Sequence, residues 1–83
     1  MTNDIPTVYV RGEIRLGQLL KLTGLVENGG EARAAIQGGY VSVDGTVETR
    51  RGKRLANGQV VSLDFGDHVE SVRVESQDES FTP

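Results

Sequence analysis

The stretch ENGGEARAAIQGGYVSVDGTVE, Glu27 to Glu48, changes its hydrophobic period partway along. Ahead of Gly38-Gly39, the apolar residues Ala32, Ala35 and Ile36 recur at i, i+3 and i+4, the spacing of one helix face. Beyond the glycine pair, Tyr40 to Val43 (YVSV) reads as a strand leading to Asp44-Gly45, with Thr46 to Glu48 after it. Asp-Gly between such runs is a strong hairpin signal, because both turn positions need positive φ. Asn28 has the side-chain oxygen of a good N-cap, and Glu31 three residues on resembles a capping box. The glycines end the helix, since glycine adopts the left-handed C′ conformation without a steric penalty. One helix followed by a hairpin is therefore expected over this stretch.

Working outward, Leu16, Leu19, Leu20 and Thr23 trace a second helical face, stopped by Gly24. Leu25-Val26 place two core residues in the connection. Thr7 to Arg11 (TVYVR) carries the β-branched and aromatic residues of a short strand. On the C-terminal side, Ala56 to Gln59 reads as a turn. Val60 to Phe65 alternates, with Val61 and Leu63 on one face and Val60, Ser62 and Asp64 on the other. Gly66-Asp67 turns again, and His68 to Glu75 forms a last strand with Val69, Val72 and Val74 apolar. The expected architecture is α+β, with two short helices packed on a small antiparallel sheet. The expected organisation is one domain over residues 1–75, its motif core at 13–63, and a disordered acidic tail at 76–83.

The 83 residues suffice for one small core and no more. The absence of cysteine excludes disulfide scaffolds, thiol catalysis and cysteine-ligated zinc. No apolar run approaches the roughly 20 residues of a membrane span, and the first residues lack the basic and apolar regions of a secretory signal. A cytoplasmic, monomeric protein without a membrane partner is expected. With His68 the single histidine, and its neighbour Asp67 expected on the opposite face of a strand, neither a catalytic nor a metal site is expected. Asp64 and Asp67 read as solvated turn carboxylates, and no cofactor is implied.

The net charge is −3, but it is unevenly distributed. Residues 1–63 hold eight basic and six acidic residues, a balance of +2, whereas residues 64–83 hold one basic and six acidic, a balance of −5. The densest feature is Arg50-Arg51-Gly52-Lys53-Arg54. Four cations in five residues repel one another, so the run is either a solvated turn or a site for a polyanion. Arg33 projects from the flank of the second helix, with Gln37 one turn later on the same stripe. Asn28-Gly29-Gly30 opens that helix with free amides and a dipole that favour a phosphate, partly offset by Glu31. Arg15 precedes the first helix. Lys21 falls opposite its leucines and reads as a solubilising residue. Tyr40 could stack on a base, but its place at a strand start favours core packing.

Taken together, IRLGQLLKLTGL (Ile14 to Leu25), ENGGEARAAIQGG (Glu27 to Gly39), YVSVDGTVETRRGKRL (Tyr40 to Leu55) and ANGQVVSL (Ala56 to Leu63) resemble, in order and spacing, the S-four RNA-binding domain. That family is named after the fourth small-subunit ribosomal protein, and the likeness is greatest to its short stand-alone bacterial members. The resemblance implies two helices on a small sheet, with the helix pair and adjoining hairpin presenting a basic surface to structured RNA. It implies RNA-binding roles for Arg15, Asn28, Gly29, Gly30, Arg33, Arg50, Arg51, Lys53 and Arg54, and Gln37, on the same helical stripe as Arg33, is read with them. The sequence departs from the family pattern at Gly17, where a polar residue is usual, which weakens the start of the first helix. It departs again at Asn28-Gly29-Gly30, which replaces the commoner serine-arginine pair, although Gly29-Gly30 is usual among stand-alone members.

The expected function is therefore non-enzymatic recognition of structured RNA, ribosomal or transfer, in association with the ribosome or ribosomal proteins. With two tyrosines, two phenylalanines and no tryptophan, shape and backbone contacts are favoured over base stacking. The alternative is a protein-interaction module whose acidic C-terminal segment binds a basic partner. That segment could also fold against Arg50–Arg54 and mask them.

Overall fold

A computed structural model describes residues 5–77. Strand β1 (Thr7–Val10) leads through a short connection to helix α1 (Leu16–Leu22) and helix α2 (Gly29–Gln37). Strands β2 (Val41–Val43) and β3 (Thr46–Val47) form the hairpin, and β4 (Val60–Asp64) and β5 (Val69–Ser76) complete one five-stranded sheet of order β1-β5-β4-β2-β3. The pairings β2–β3, β2–β4 and β4–β5 are antiparallel, as expected. The sheet as a whole is mixed, because β1 lies parallel to β5, with Val8 opposite Val74. Local alternation identifies β1 as a strand but carries no information about its partner.

The helices cover one face of the sheet. Leu16, Leu19, Leu20 and Ile36 are fully enclosed, and with Ala32 and Val26 they meet Val41, Val43, Val61, Leu63, Val72 and Val74. The alternation in β4 places Val61 and Leu63 inward as predicted. In β5 only Val72 and Val74 point inward; Val69 faces out beside Asp64. The Ser62 and Ser71 hydroxyls bond to each other across the outer face at 2.7 Å.

The hairpin turn has Asp44 at φ 52° and Gly45 at φ 86°, the positive pair the Asp-Gly signal requires. The Asp44 carboxylate also accepts from the Val60 amide at 2.9 Å, tying the turn to the start of β4. Asn28 caps α2, its side-chain oxygen accepting from the Glu31 amide at 2.8 Å. Glu31 reaches back to the amide of Glu27, one residue beyond the position a capping box would use. Gly39, at φ 86°, ends α2.

Three expectations are corrected. Tyr40 is 57% exposed, because its ring lies over the bare face of Gly38 instead of entering the core. Asp67 and His68 sit in a turn ahead of β5, so their side chains meet at 2.7 Å instead of diverging. Strand β5 includes Ser76, and the Gln77 amide donates to the Val10 carbonyl, so order extends past residue 75. The rest of the expected tail, 78–83, lies outside the described residues.

Candidate nucleic-acid interface

The basic loop is fastened to the start of α1 by its backbone. The first amides of a helix have no partner inside it. Here the Leu16 amide donates to the Lys53 carbonyl at 2.8 Å, and the Gly17 amide donates to the Arg51 carbonyl at 3.0 Å. The Leu55 amide donates to the Ile14 carbonyl, and Arg15 and Arg54 form an isolated antiparallel bridge. The Gln18 side-chain oxygen accepts from the Arg15 amide at 3.0 Å and closes the turn. The positive end of α1 thus holds loop carbonyls, leaving the loop's cationic side chains on the surface.

Gly17 makes this approach possible. A Cβ at that position would lie 2.7 Å from Arg51 Cγ and 3.3 Å from its Cδ. The departure that appeared only to weaken the helix start is the place where the alkyl stem of Arg51 crosses the helix. Arg15, Lys21, Arg51 and Gly52 then surround, with Gly17, Gln18 and Gly29, a polar concavity of about 380 Å³. Gly29 brings the first turn of α2 to its edge. Arg33 and Gln37 follow Gly29 at i+4 and i+8, so they continue the same flank of α2 away from the concavity.

The other sequence-selected residues take different positions. Arg50 is engaged by Glu48, whose carboxylate accepts from its Nε at 2.9 Å, its Nη2 at 3.2 Å and its amide at 2.9 Å. The Arg50 guanidinium and amide hold the Glu48 carboxyl down at about 2. Arg54 pairs with Glu13 at 3.3 Å, both side chains largely exposed. Asn28 spends its side-chain oxygen on the cap, while the Gly29 and Gly30 amides have no acceptor within the helix. Lys53 is half-buried, with no ion-pair partner among the described residues. The concavity also includes Lys21, read above as merely solubilising. Its signal is the i, i+4 relation to Gly17, which puts it on the stripe over which the loop passes.

The acids of the β4–β5 turn do not cover this site. They follow the C-terminal end of β4, a strand about 13 Å long at its rise per residue, whereas the basic loop precedes its N-terminal end, and none of them lines the concavity. There His68 is bracketed by Asp67 at 2.7 Å and Glu70 at 3.1 Å, and these hydrogen bonds raise its pKa. Asp78 and Glu79 lie outside the described residues. Among the described residues no three acidic or histidine side chains gather as metal ligands, and no helix is long and apolar enough to cross a membrane.

A two-helix layer on a small sheet, with a basic loop anchored at the first helix, is the arrangement expected of an S-four-type domain. The family model described as the S4 domain matches residues 9–75, and the chain belongs to that family. Over 50 residues the chain is 49% identical to YbcJ of Escherichia coli K12, named a putative RNA-binding protein; the match spans 60% of this chain and 71% of that one. The solution structure of E. coli YbcJ, described as revealing an ALFAL motif involved in RNA binding, superposes with a TM-score of 0.56. That superposition has 35% identity and covers 88% of this chain and 92% of the other. A tyrosine–tRNA ligase of Burkholderia lata is 38% identical over 60 residues, 71% of this chain but 14% of the ligase.

Proposed function

We propose that this protein binds structured RNA through the concavity formed by Arg15, Lys21 and Arg51, with Lys53 of the same loop and Arg33, one turn along α2 from Gly29, extending the contact. The observation that carries the reading is the backbone anchoring of the basic loop on α1, with Arg51 seated over Gly17. A cation cluster held in place loses less conformational freedom on binding than one on a free loop. Arginine forks suit phosphate oxygens, and A-form RNA offers phosphates and 2′-hydroxyls in fixed array. The separation of charge explains how a chain of net charge −3 could hold a polyanion. Membership of the S4 family and the likeness to YbcJ support the same reading.

The role is binding without chemistry of its own. Ribosomal or transfer RNA is the target class, on a cytoplasmic monomer associated with the ribosome. The test is crosslinking in cells followed by sequencing of the bound RNA, comparing the parent with a variant carrying Arg15→Ala, Lys21→Ala and Arg51→Ala. Enrichment of one structured RNA, lost in the variant, is the expected result. Equal recovery of RNA by both proteins would refute the assignment of the concavity.

A further inference from the structure

The flank of α2 opposite Arg33 and Gln37 has a different character. Glu31, Ala34 and Ala35 border a groove of about 550 Å³ whose other walls are Leu25, Val26, Tyr40, Leu63 and Phe65. The floor is aliphatic, and two aromatic residues, Tyr40 and Phe65, contribute to the lining. Phe65 is itself supported from behind: its ring stacks on His68 with centroids 4.9 Å apart and planes 13° from parallel. His68 is in turn fixed by Asp67 and Glu70. That wall therefore needs little ordering to receive a ligand.

The rim has one sign. Glu31 is placed by the Glu27 amide at 2.7 Å, and Glu27 follows directly on the lining residue Val26. Across the groove, Asp64 is placed by the Gly66 amide at 2.8 Å, with Asp67 next along the turn. Among the described residues no lysine or arginine lines the groove. An apolar floor with an acidic rim repels phosphate and anionic lipid headgroups, and it complements an apolar side chain flanked by cations.

We propose that this groove docks a basic polypeptide segment of a partner protein, seating an aliphatic or aromatic anchor against Tyr40, Phe65 and the aliphatic floor while its lysines or arginines meet Glu31 and Asp64. The partner's cations would then lie on one flank of α2 and RNA on the other, so both could be held together.

The test uses the full ¹⁵N-labelled chain and two synthetic peptides of equal charge. One is lysine- and arginine-rich with interspersed leucines, and the other has serine in place of leucine. The leucine peptide is expected to shift the amides of Ala34, Ala35, Tyr40, Phe65 and Gly66 while leaving Gly17 and Gly52 in place. The serine peptide should bind about 10-fold more weakly, the scale of one buried anchor. Phe65→Ala and Ala34→Arg, both at exposed positions, should each weaken the leucine peptide by a similar factor and leave structured-RNA affinity unchanged. Equal binding of the two peptides, shifts centred on Gly17 and Gly52, or no shift at low salt would each overturn the proposal. Groove amides that move on raising protein concentration alone would assign the groove to a second copy and overturn it too.

Discussion

Gly17→Ala separates the stability of the helix from the placement of Arg51. Alanine is favoured over glycine inside a helix by up to about 1 kcal/mol. Against this, the new methyl would sit 2.7 Å from Arg51 Cγ, so the arginine stem must leave its present path. Moving a side chain about 30° off its rotamer costs about 0.5–1.5 kcal/mol, and a complete change of rotamer releases that strain but carries the guanidinium elsewhere. The two terms nearly cancel, so urea denaturation should show a stability change within about 1 kcal/mol of zero. Binding should respond differently. A hydrogen bond to a charged group contributes about 1.5–3 kcal/mol, so displacing one guanidinium at an exposed site should weaken structured-RNA binding by about 10-fold. The slope of log affinity against log salt should flatten by roughly 0.7–0.9, one phosphate contact. Fluorescence anisotropy with a labelled structured RNA over a potassium chloride series measures both quantities. Arg51→Ala on the Gly17→Ala background should add little, because residues acting on one contact are not additive. The reasoning is refuted if Gly17→Ala binds like the parent while Arg51→Ala does not, or if the two losses simply add.

Further predictions concern the core and the titrating groups. Ile36→Ala empties a fully enclosed position between α2 and the sheet. It should cost about 2–5 kcal/mol, a large share of a small domain's stability, and be visible as a lowered urea midpoint. Glu48 is held at about 2 by Arg50, so its folded pKa lies below its ordinary value. The stability it contributes is present above about pH 4.5 and lost as pH falls through about 2, which carboxyl carbon shifts and denaturation at each pH will follow. Glu48→Gln frees the Arg50 guanidinium and should steepen the salt dependence of RNA binding, as the same anisotropy series would report. His68 has the opposite sign: its pKa is raised by Asp67 and Glu70. Its contribution is present below the ordinary histidine pKa and lost as pH rises through the folded value, which imidazole proton shifts should locate.

Much of the fold is legible in local pattern. The inward faces of both helices, the alternation in β4, the Asn28 cap and the Asp44-Gly45 turn depend on residues a few positions apart, and each is found where its pattern puts it. Exceptions fall where side-chain packing or strand register intervenes. Tyr40 stands just ahead of β2, and its ring lies over Gly38, two residues away, instead of entering the core. Val69 lies within a valine-rich run, yet register sets it outward beside Asp64.

The candidate site divides in the same way. The density of cations at Arg50–Arg54 and the place of Arg15 and Arg33 are visible in the chain itself, because charge and helical stripe are local properties. That Arg50 and Arg54 are drawn to Glu48 and Glu13 while Arg15, Lys21 and Arg51 converge depends on side-chain geometry. Composition and period alone determined that this is a small two-helix, hairpin-containing domain with a basic middle and an acidic end. Tertiary structure alone decided that β1 pairs with β5, that Gly17 is a seat for Arg51, and that the two flanks of α2 carry opposite character. Those outcomes rest on contacts between residues tens of positions apart, set when the core closes, and a short-range pattern has no term for them.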